Sequence, residues 1–411
     1  MSSLNSQSDA DAAPSPGQPA TPPVAPSTVT LGRIAREWGR IGVTGFGGPP
    51  AHIALLRRLC VRDRQWIAAS EFEDAIAACN LLPGPASTQL AIWCGWRLRR
   101  RAGALVAGAC FIAPGLVMIL ALSALFLAAH PPLVVLGAAA GAGAAVPAVA
   151  VHAAWGLAPA SWKRMQTNAP GGKRSARVRW IVYALLGGAA AASIGPFLVL
   201  VLIACGLVEV AMRTRVTAMA RALLPMALPL AAAGGGLGAV VWEAFKVGAL
   251  SYGGGFVIIP LMQHDAVHTY HWMTSAQFLD AVALGQVTPG PVVLTTAVVG
   301  FAAAGYAGAL LATAVAFTPS FAFILLGARH FDALRGNARV QAFLTGAGPA
   351  VIGAIAGSAI PLALALGHGW QYIVLAAAAL WLLAARRGVV SALVLAAVCG
   401  AVLALAGVVV T

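Results

Sequence analysis

Charged residues are scarce in this chain: Asp, Glu, Lys and Arg together make up only 9% of its 411 residues. In soluble domains the share is roughly a quarter, so a water-soluble globular protein is excluded. Apolar residues account for 60% of the sequence, and uninterrupted apolar runs occupy positions 103–129, 133–157 and 389–410. Each run is about 20 residues or longer, the length that a helix needs to cross a hydrocarbon core. We therefore expect an all-α, polytopic membrane protein.

Acidic residues are the scarcest charges, with 12 Asp and Glu against 26 Lys and Arg and a formal net charge of +14. Such an excess is also found in nucleic-acid-binding proteins. Here the basic residues come in short bursts between apolar runs, which is the pattern that the positive-inside bias produces. We therefore expect no nucleic-acid partner. The expected partners are membrane lipid and an anionic solute.

Several motifs of catalysis and cofactor binding are also missing. The six cysteines contain no CxxC pair and indicate neither a zinc site nor a disulfide framework. GxxxxGK[ST], HExxH and GxSxG do not occur, so the sequence predicts no ATP site, no cofactor, no metal and no enzyme. His264, His268 and His271 are interpreted as part of a polar external loop. Residues 1–30 lack the basic and apolar regions of a signal peptide and are expected to form a disordered cytoplasmic tail.

The chain contains two copies of one unit. A shift of 206 positions aligns 37–85 with 243–291 without a gap and gives 15 identities in 49 positions, including a Pro-Gly-Pro in both copies. A shift of 205 continues the match through most of the remaining sequence. We therefore predict a first transporter repeat at 31–221, a connecting segment at 222–242 and a second repeat at 243–411.

The basic residues indicate that the two repeats have opposite orientations. The first repeat has Arg clusters within 57–64 and 97–101, whereas the corresponding segments 263–271 and 301–307 contain no Lys or Arg. Because Lys and Arg are retained on the cytoplasmic side, the two clusters should face the cytoplasm and their counterparts the other side. Inversion also needs an odd crossing between the repeats, for which the apolar run 222–241 is the candidate.

The segment between the two Arg clusters must leave and return on one side of the membrane. Pro-Gly-Pro at 83–85 would break a helix in its middle, so we predict a re-entrant hairpin over 70–96. A second broken element is predicted over 31–59, and the second repeat has breaks around 251–255 and 288–291. Spanning helices are predicted near 103–129, 133–157, 180–195 and 196–212 in the first repeat and near 307–328, 340–366, 370–385 and 389–410 in the second.

The broken helices predict the binding site. Irregular backbone survives at membrane depth only where protein or a water-filled cavity covers it. A helix that restarts after a break presents free N–H groups and the positive end of its dipole, which suits an anion. Inverted repeats that bring such ends together are typical of alternating-access transporters. The candidate substrate-binding residues all flank the breaks: Gly47, Gly48, Asn80, Pro83, Gly84, Pro85, Thr88, Gln89, Gly253, Gly254, Gln286, Thr288, Pro289, Gly290 and Pro291.

Two matched carboxylates are candidates for ion coupling. Asp74 and Asp280 each lie nine residues before a Pro-Gly-Pro. A carboxylate inside the membrane is unfavourable enough to indicate proton coupling, and an interfacial or helix-capping role is the alternative. His52, just after the first break, is interpreted as a packing residue.

Two matched cations are candidates for charge balance. Arg40 and Lys246 each precede a Gly cluster and would attract or partly neutralise a dianion. The alternative is that both side chains extend to the membrane interface. Glu37 and Glu243, three residues earlier in each repeat, are their expected ion-pair partners.

Four motifs together resemble the signatures of the chromate ion transporter family, in its long two-domain form. They are Phe46-Gly47-Gly48-Pro49 with His52-Ile53, Leu82-Pro83-Gly84-Pro85 with Thr88-Gln89, Ser251-Tyr252-Gly253-Gly254-Gly255 with Ile259-Pro260, and Gly285-Gln286-Val287-Thr288-Pro289-Gly290-Pro291. The similarity covers roughly 31–410. It departs at Gly255-Phe256, where the family more often has an aromatic hydroxyl.

The resemblance implies a secondary transporter that exports chromate across the bacterial inner membrane, driven by an ion gradient. Sulfate is the related anion, and a homo-oligomer is left open. The composition and spacing alone imply only an anion. The alternatives are a sulfate transporter or exchanger and an oxyanion channel, which would need a continuous pore and no coupling carboxylate. A chromate reductase is disfavoured because the sequence contains no flavin, haem or nicotinamide motif.

Overall fold

The structure is a computed structural model. It describes residues 29–80, 82–128, 130–167, 170–193, 198–214, 236–251, 255, 258–328 and 336–409. Most of the predicted tail 1–30, most of the connecting segment 222–242, and the candidates Gly253 and Gly254 lie outside these ranges. The described residues form helices and no β-strand, which confirms the all-α class.

The described part of the first repeat contains seven helices. They are α1 Leu31–Thr44, α2 Pro49–Arg57, α3 Ala69–Cys79, α4 Ala86–Phe126, α5 Leu133–Gln166, α6 Gly172–Ser193 and α7 Leu198–Thr214. The predicted breaks are confirmed, because they separate α1 from α2 and α3 from α4. Gly48, before α2, has a φ of +71°, and Gly84, between α3 and α4, has a φ of +118°. Glycine adopts such values without the steric penalty of a Cβ.

The described part of the second repeat follows the same plan. Its helices are α8 Leu237–Leu250, α9 Ile259–Gln263, α10 Ser275–Val287, α11 Thr295–Gly327, α12 Ala338–Leu364, α13 Gly369–Ala379 and α14 Val389–Leu405. A π-helical turn, His264–Thr269, extends α9, so the expected polar loop around His264 is wrong: the segment is helical and buries Asp265. α8 begins at Leu237, within the predicted connecting segment.

The re-entrant hairpin of the first repeat is confirmed by the charges at its two ends. Glu71, near the start of α3, forms an ion pair with Arg97 of α4. Glu73 on the same helix forms an ion pair with Arg57 of α2. Both Arg clusters therefore lie at one end of the hairpin. α3 has 11 residues and is about 16 Å long at 1.5 Å per residue, so from one membrane surface it would reach about half way across a hydrocarbon core of about 30 Å.

α4 and α11 are each two antiparallel arms joined by a sharp corner. The backbone leaves helical geometry at Arg100 (φ 51°, ψ −138°) and at its repeat counterpart Gly305 (φ 59°, ψ −149°). The arms pack closely because glycines face each other: a Cβ on Gly95 would lie 2.4 Å from the carbonyl oxygen of Gly103. The first arm of α4, 86–98, completes the re-entrant hairpin, and the second, 101–126, is the first spanning helix.

The repeats are inverted, because the equivalent helices α5 and α12 run antiparallel. Near the start of α5, the carbonyl of Ala140 accepts a hydrogen bond from Gln371 Nε2 (3.3 Å), a residue beyond the end of α12. Near the end of α5, Ser161 Oγ lies 3.4 Å from the position that a Cβ on Gly348 of α12 would take. Residue numbers therefore rise along α5 as they fall along α12.

Within the part of the chain that the structure describes, four helical segments are long and apolar enough to cross a membrane: Ala86–Phe126, Leu133–Gln166, Val292–Gly327 and Ala338–Leu364, the first and third of which include the corners at Arg100 and Gly305. The shorter apolar helices are Gly369–Ala384 and Val389–Leu405. The predicted end of α5 at 157 is wrong, because the helix continues through Pro159 to Gln166. Neighbouring helices and local adjustments satisfy the backbone groups that a proline frees inside a transmembrane helix.

Candidate functional site: the two Pro-Gly-Pro turns

The Pro-Gly-Pro turn of each repeat is hydrogen-bonded to the broken helix of the other repeat. Gly84 N–H donates to the carbonyl oxygen of Ser251 (2.8 Å), at the end of α8. Gly290 N–H donates to the carbonyl oxygen of Gly45 (3.2 Å), at the end of α1. The two bonds are equivalent, since 84 + 206 = 290 and 45 + 206 = 251. Both turns therefore lie at the contact between the repeats, where an alternating-access transporter holds its substrate.

The first turn is surrounded by buried polar atoms that have no hydrogen-bond partner within the described structure. They are Gln89 Oε1, Ser251 Oγ and Ser320 Oγ, with Thr88 Oγ1 on the first turn of α4. All four residues are at most 1% exposed. Buried polar atoms are nearly always paired, so such a group indicates a site for a ligand or water.

Two polar side chains reach Gly84 itself. A Cβ there would lie 3.0 Å from Ser320 Oγ and 2.5 Å from Gln89 Nε2. The Gln89 amide holds the turn in place by donating from Nε2 to the carbonyl oxygen of Pro83 (2.7 Å). α4 restarts immediately after this turn, at Ala86, so the N–H groups and the positive dipole end of its first turn face the same region. An anion therefore finds hydroxyl donors and a helix N-terminus together.

The second turn lacks the polar side chains that surround the first, and its environment is apolar. The repeat counterparts of Ser320 and Ser251 are Gly115 and Gly45, so neither hydroxyl is present. The side chain of Leu294 fills the space, with Cδ1 3.1 Å from the position of a Cβ on Gly290. The helix after this turn also begins with a 3-10 turn, Val292–Leu294, instead of a regular α-helical turn.

Hydroxyl groups close to the second turn already donate hydrogen bonds to backbone carbonyl oxygens. Thr288 Oγ1 donates to the carbonyl oxygen of Leu284 (3.0 Å), and Thr295 Oγ1 donates to that of Val292 (2.8 Å). His52 Nε2 lies 2.8 Å from the carbonyl oxygen of Gly45, which the second turn also uses. The buried, unpartnered hydroxyls therefore belong to the first turn.

The remaining predicted site residues are dispersed. Gly47 is exposed, and Gly48 caps α2. Asn80 ends α3 and lines a cavity of about 170 Å³ beside Gly84. Gln286, near the end of α10, has a buried Nε2 without a partner. The Pro-Gly-Pro residues 289–291 form the second turn itself.

The cavity beside the first turn is lined by a basic side chain that the sequence analysis did not identify. Arg164, exposed near the end of α5, lines it together with Ser161, Asn80 and Gly84. This cavity extends from Gly84 toward the end of α5 that carries Lys163 and Arg164. Sequence reasoning missed Arg164 because the predicted helix ended at 157, and missed Ser320 because its repeat counterpart is glycine.

The matched aspartates lie in two separate cavities. Asp74 is exposed and lines a polar cavity of about 530 Å³ with Arg97 and Arg100. Asp280 lines a cavity of about 470 Å³ with His368 and Gln371. A Cβ on Gly143 would lie only 2.5 Å from Asp280 Oδ1, so α5 covers this carboxylate closely.

The two matched cations also differ. Arg40 is 66% exposed and pairs with Glu37 (3.3 Å), as expected. Lys246 does not pair with Glu243, and that expectation is wrong: its ammonium binds Asp265, the residue that replaces Leu59 in the second repeat. Neither cation is among the groups that surround Gly84.

Comparison with known proteins gives a consistent result. The family model described as Chromate transporter matches residues 32–230 and 238–405. A chromate transport protein of Cupriavidus metallidurans is 32% identical over 351 residues, covering 82% of this chain and 83% of the relative. One from Pseudomonas aeruginosa is 31% identical over 375 residues, covering 85% of each. A probable chromate transport protein of Synechococcus elongatus is 26% identical over 347 residues, covering 81% of this chain and 84% of the relative. No solved structure matches the chain significantly.

Proposed function

The chain belongs to the chromate transporter family, and from this membership and the geometry of its first turn we propose that it exports chromate across the bacterial inner membrane, driven by an ion gradient. As a member it is a transporter and not an enzyme. The observation that carries the proposal is the set of buried, unpartnered polar atoms around Gly84. The substrate in this proposal, chromate, is the one for which the related transport proteins are named.

In this proposal a tetrahedral dianion binds at the first turn. Hydroxyls of Ser251, Ser320 and Thr88 donate hydrogen bonds, and the N-terminus of α4 contributes N–H groups and its dipole. Charge-assisted hydrogen bonds of this kind are roughly twice as strong as neutral ones. Arg164 at the edge of the adjoining cavity attracts the anion from the cytoplasm. Repeats 31–221 and 243–411 then alternate around this one site.

Transport in inside-out vesicles tests the function directly. Labelled chromate is expected to accumulate inside when a proton gradient is imposed and to stay at equilibrium without one. Sulfate, which has nearly the same shape, serves as the competitor, and preferential accumulation of sulfate would reassign the substrate. Flux that only follows the anion's own gradient would indicate a channel.

We predict that the Arg clusters of the first repeat face the cytoplasm and the His264–His271 segment faces outward. Arg62 and His268 are both exposed, so each accepts a cysteine. In a background without the six native cysteines, a membrane-impermeant maleimide applied to intact cells should label His268→Cys and not Arg62→Cys. The reverse labelling in inside-out vesicles is the control, and labelling of both from one side would contradict the inverted orientation.

We also propose that Asp280 makes anion entry pH-sensitive. An ionised carboxylate beside the path repels a dianion, whereas a protonated one does not. Transport should therefore decline as the pH rises, and Asp280→Asn should flatten this decline. Asp74→Asn, at the matched but exposed carboxylate, is the comparison. Rates measured across a pH series with equal protein in the membrane check it. An unchanged pH profile in Asp280→Asn would return this residue to a structural role.

A further inference from the structure

The second repeat contains a buried carboxyl group that the binding site does not use. Glu243 lies on α8, is 1% exposed, and its Oε1 has no hydrogen-bond partner within the described structure. Its counterpart Glu37, on α1, is also buried but accepts a hydrogen bond from Arg64 (3.0 Å) and pairs with Arg40 (3.3 Å). A buried charge without a partner is strongly unfavourable, so the two glutamates cannot hold the same charge equally well.

Two differences between the repeats remove the cations from Glu243. At the position equivalent to Arg64 the second repeat has Tyr270, since 64 + 206 = 270. At the position equivalent to Leu59 it has Asp265, which binds the ammonium of Lys246. Tyr270 supplies no cation where the first repeat has Arg64, and Asp265 pairs with Lys246, the cation that remains.

The formal charges of the two clusters show that the second cluster lacks a positive charge. Glu37, Arg40 and Arg64 sum to +1. Glu243, Lys246 and Asp265 sum to −1 when all three are ionised and to zero when Glu243 carries a proton. The side chains of Lys246 and Asp265 are only 13% and 12% exposed, so water does little to compensate a net charge. A single free carboxyl oxygen accepts one proton, whereas a metal ion such as Ca²⁺ needs about six oxygen ligands.

Other ionisable groups around Glu243 come from its own helix and from the segment that follows α9. Lys246, covered by the Trp242 ring at 5.6 Å, is on α8. Asp265, Tyr270 and, beyond them, His264 lie on the following segment. α11 packs along α8, and its sole ionisable residue is Tyr306, which is exposed.

These groups also form a route to the surface. Exposure increases from Glu243 through the Lys246–Asp265 pair to His264, which is partly exposed, and His268, which is exposed. The rings of His264 and His268 are 6.0 Å apart between centroids. Histidine gains and loses protons near neutral pH, so this end of the route suits proton entry.

We propose that Glu243 is a proton-binding site of the second repeat, loaded from the His264–His271 face, and that its proton is the one exchanged for the anion during transport. The transport part of this inference rests on the proposed function. Protonation leaves the cluster neutral and stable in its buried position, and release leaves it at −1, which favours a rearrangement that exposes the group.

Infrared spectroscopy of the purified chain in lipid tests the proton site without any transported anion. The difference between the spectra of the wild-type protein and Glu243→Gln should contain a carboxylic-acid carbonyl band that disappears as the pH is raised; any protonated carboxyl group elsewhere, such as Asp280, contributes equally to both spectra. Glu37→Gln is the matched control, because Glu37 is paired with two arginines, and it should leave the band unchanged. A wild-type spectrum identical to that of Glu243→Gln would overturn the assignment.

Transport assays test the coupling. Glu243→Gln should lose accumulation of chromate driven by a pH gradient and keep exchange of labelled for unlabelled chromate. Retained gradient-driven accumulation would overturn the coupling role. If the wild-type protein moves no chromate at all, the proposed function fails, and the infrared band still decides whether Glu243 holds a proton.

A second variant keeps the test decisive if Glu243→Gln folds poorly. Tyr270→Arg supplies the cation that the first repeat has at this position, and it should ionise Glu243, abolish the carbonyl band and uncouple transport. A band that persists unchanged in well-folded Tyr270→Arg would contradict the proposal.

Discussion

Replacing Gly84 with leucine is expected to abolish transport. Gly84 has a φ of +118°, where a Cβ is strained, and that Cβ would lie 2.5 Å from Gln89 Nε2. The new side chain would displace the Gln89–Pro83 hydrogen bond and the bond from Gly84 N–H to Ser251. Strain of about 1–3 kcal/mol and two hydrogen bonds of about 0.5–1.5 kcal/mol each sum to about 2–6 kcal/mol, a loss of at least roughly 30-fold in rate.

Milder variants separate the site from the fold. Ser320→Ala removes one donor to the anion and should weaken binding by about 0.5–3 kcal/mol without abolishing transport. Thr318→Ala is its matched control, because Thr318 Oγ1 already donates within its own helix (2.7 Å) and is exposed. Gly290→Leu should also stop transport by distorting the second turn, but it should retain more chromate binding than Gly84→Leu, since the unpartnered hydroxyls surround only the first turn.

Protein abundance in the membrane must be measured beside transport and binding, because a folding defect would mimic the effect of Gly84→Leu. Normal transport by a well-expressed Gly84→Leu, together with an inactive Arg40→Ala or Lys246→Ala, would mean that charged side chains build the site. The account based on the turn and its hydroxyls would then be wrong.

Substituting Gly353 with valine should destabilise the whole protein. Gly353 of α12 packs against α6 so closely that a Cβ would lie 1.8 Å from the carbonyl oxygen of Ala184. Gly187 on the facing helix is equally close, with a Cβ position 1.9 Å from the carbonyl oxygen of Ala350. Small residues allow helices in membranes to approach at backbone contact, and overpacking such a contact costs about 1–3 kcal/mol and occasionally more.

The expected observation is a lower thermal midpoint in detergent and reduced protein in the membrane, with Gly353→Ala intermediate between wild type and valine. Gly156→Val on α5 is the control, since a Cβ at Gly156 meets nothing within 4 Å. Equal midpoints for Gly353→Val and Gly156→Val would show that α6 and α12 separate without loss of stability.

The architecture could be predicted from sequence because its signals are local. Glycines and prolines in register marked both breaks. The arginine clusters predicted that the two ends of the hairpin lie together, and the ion pairs of Glu71 and Glu73 confirm this. The end of α5 was misplaced because the apolar run ends at Leu157, whereas the helix continues through Pro159 to Gln166.

The candidate site was only partly predictable, because its chemistry depends on contacts between repeats. The alignment drew attention to residues that match, such as Gly84 and Gly290. The polar character of the first turn comes from residues that do not match, Ser251 and Ser320 against Gly45 and Gly115. Lys246 also depends on a residue that does not match between the repeats, because its partner Asp265 stands where the first repeat has a leucine. The matched residues of the two repeats predicted where the two turns lie. The residues that differ between the repeats give the two turns their different chemistry.

The crossed bonds from Gly84 to Ser251 and from Gly290 to Gly45 have a genetic consequence. Each turn is completed by a backbone carbonyl of the other repeat, so a chain divided between Thr214 and Leu237 should give two fragments that are inactive when expressed separately. Co-expression should restore activity only when the fragments insert with opposite topologies. Adding lysines to the 263–271 segment of the second fragment, which would reverse its insertion, should therefore abolish complementation while leaving both fragments in the membrane.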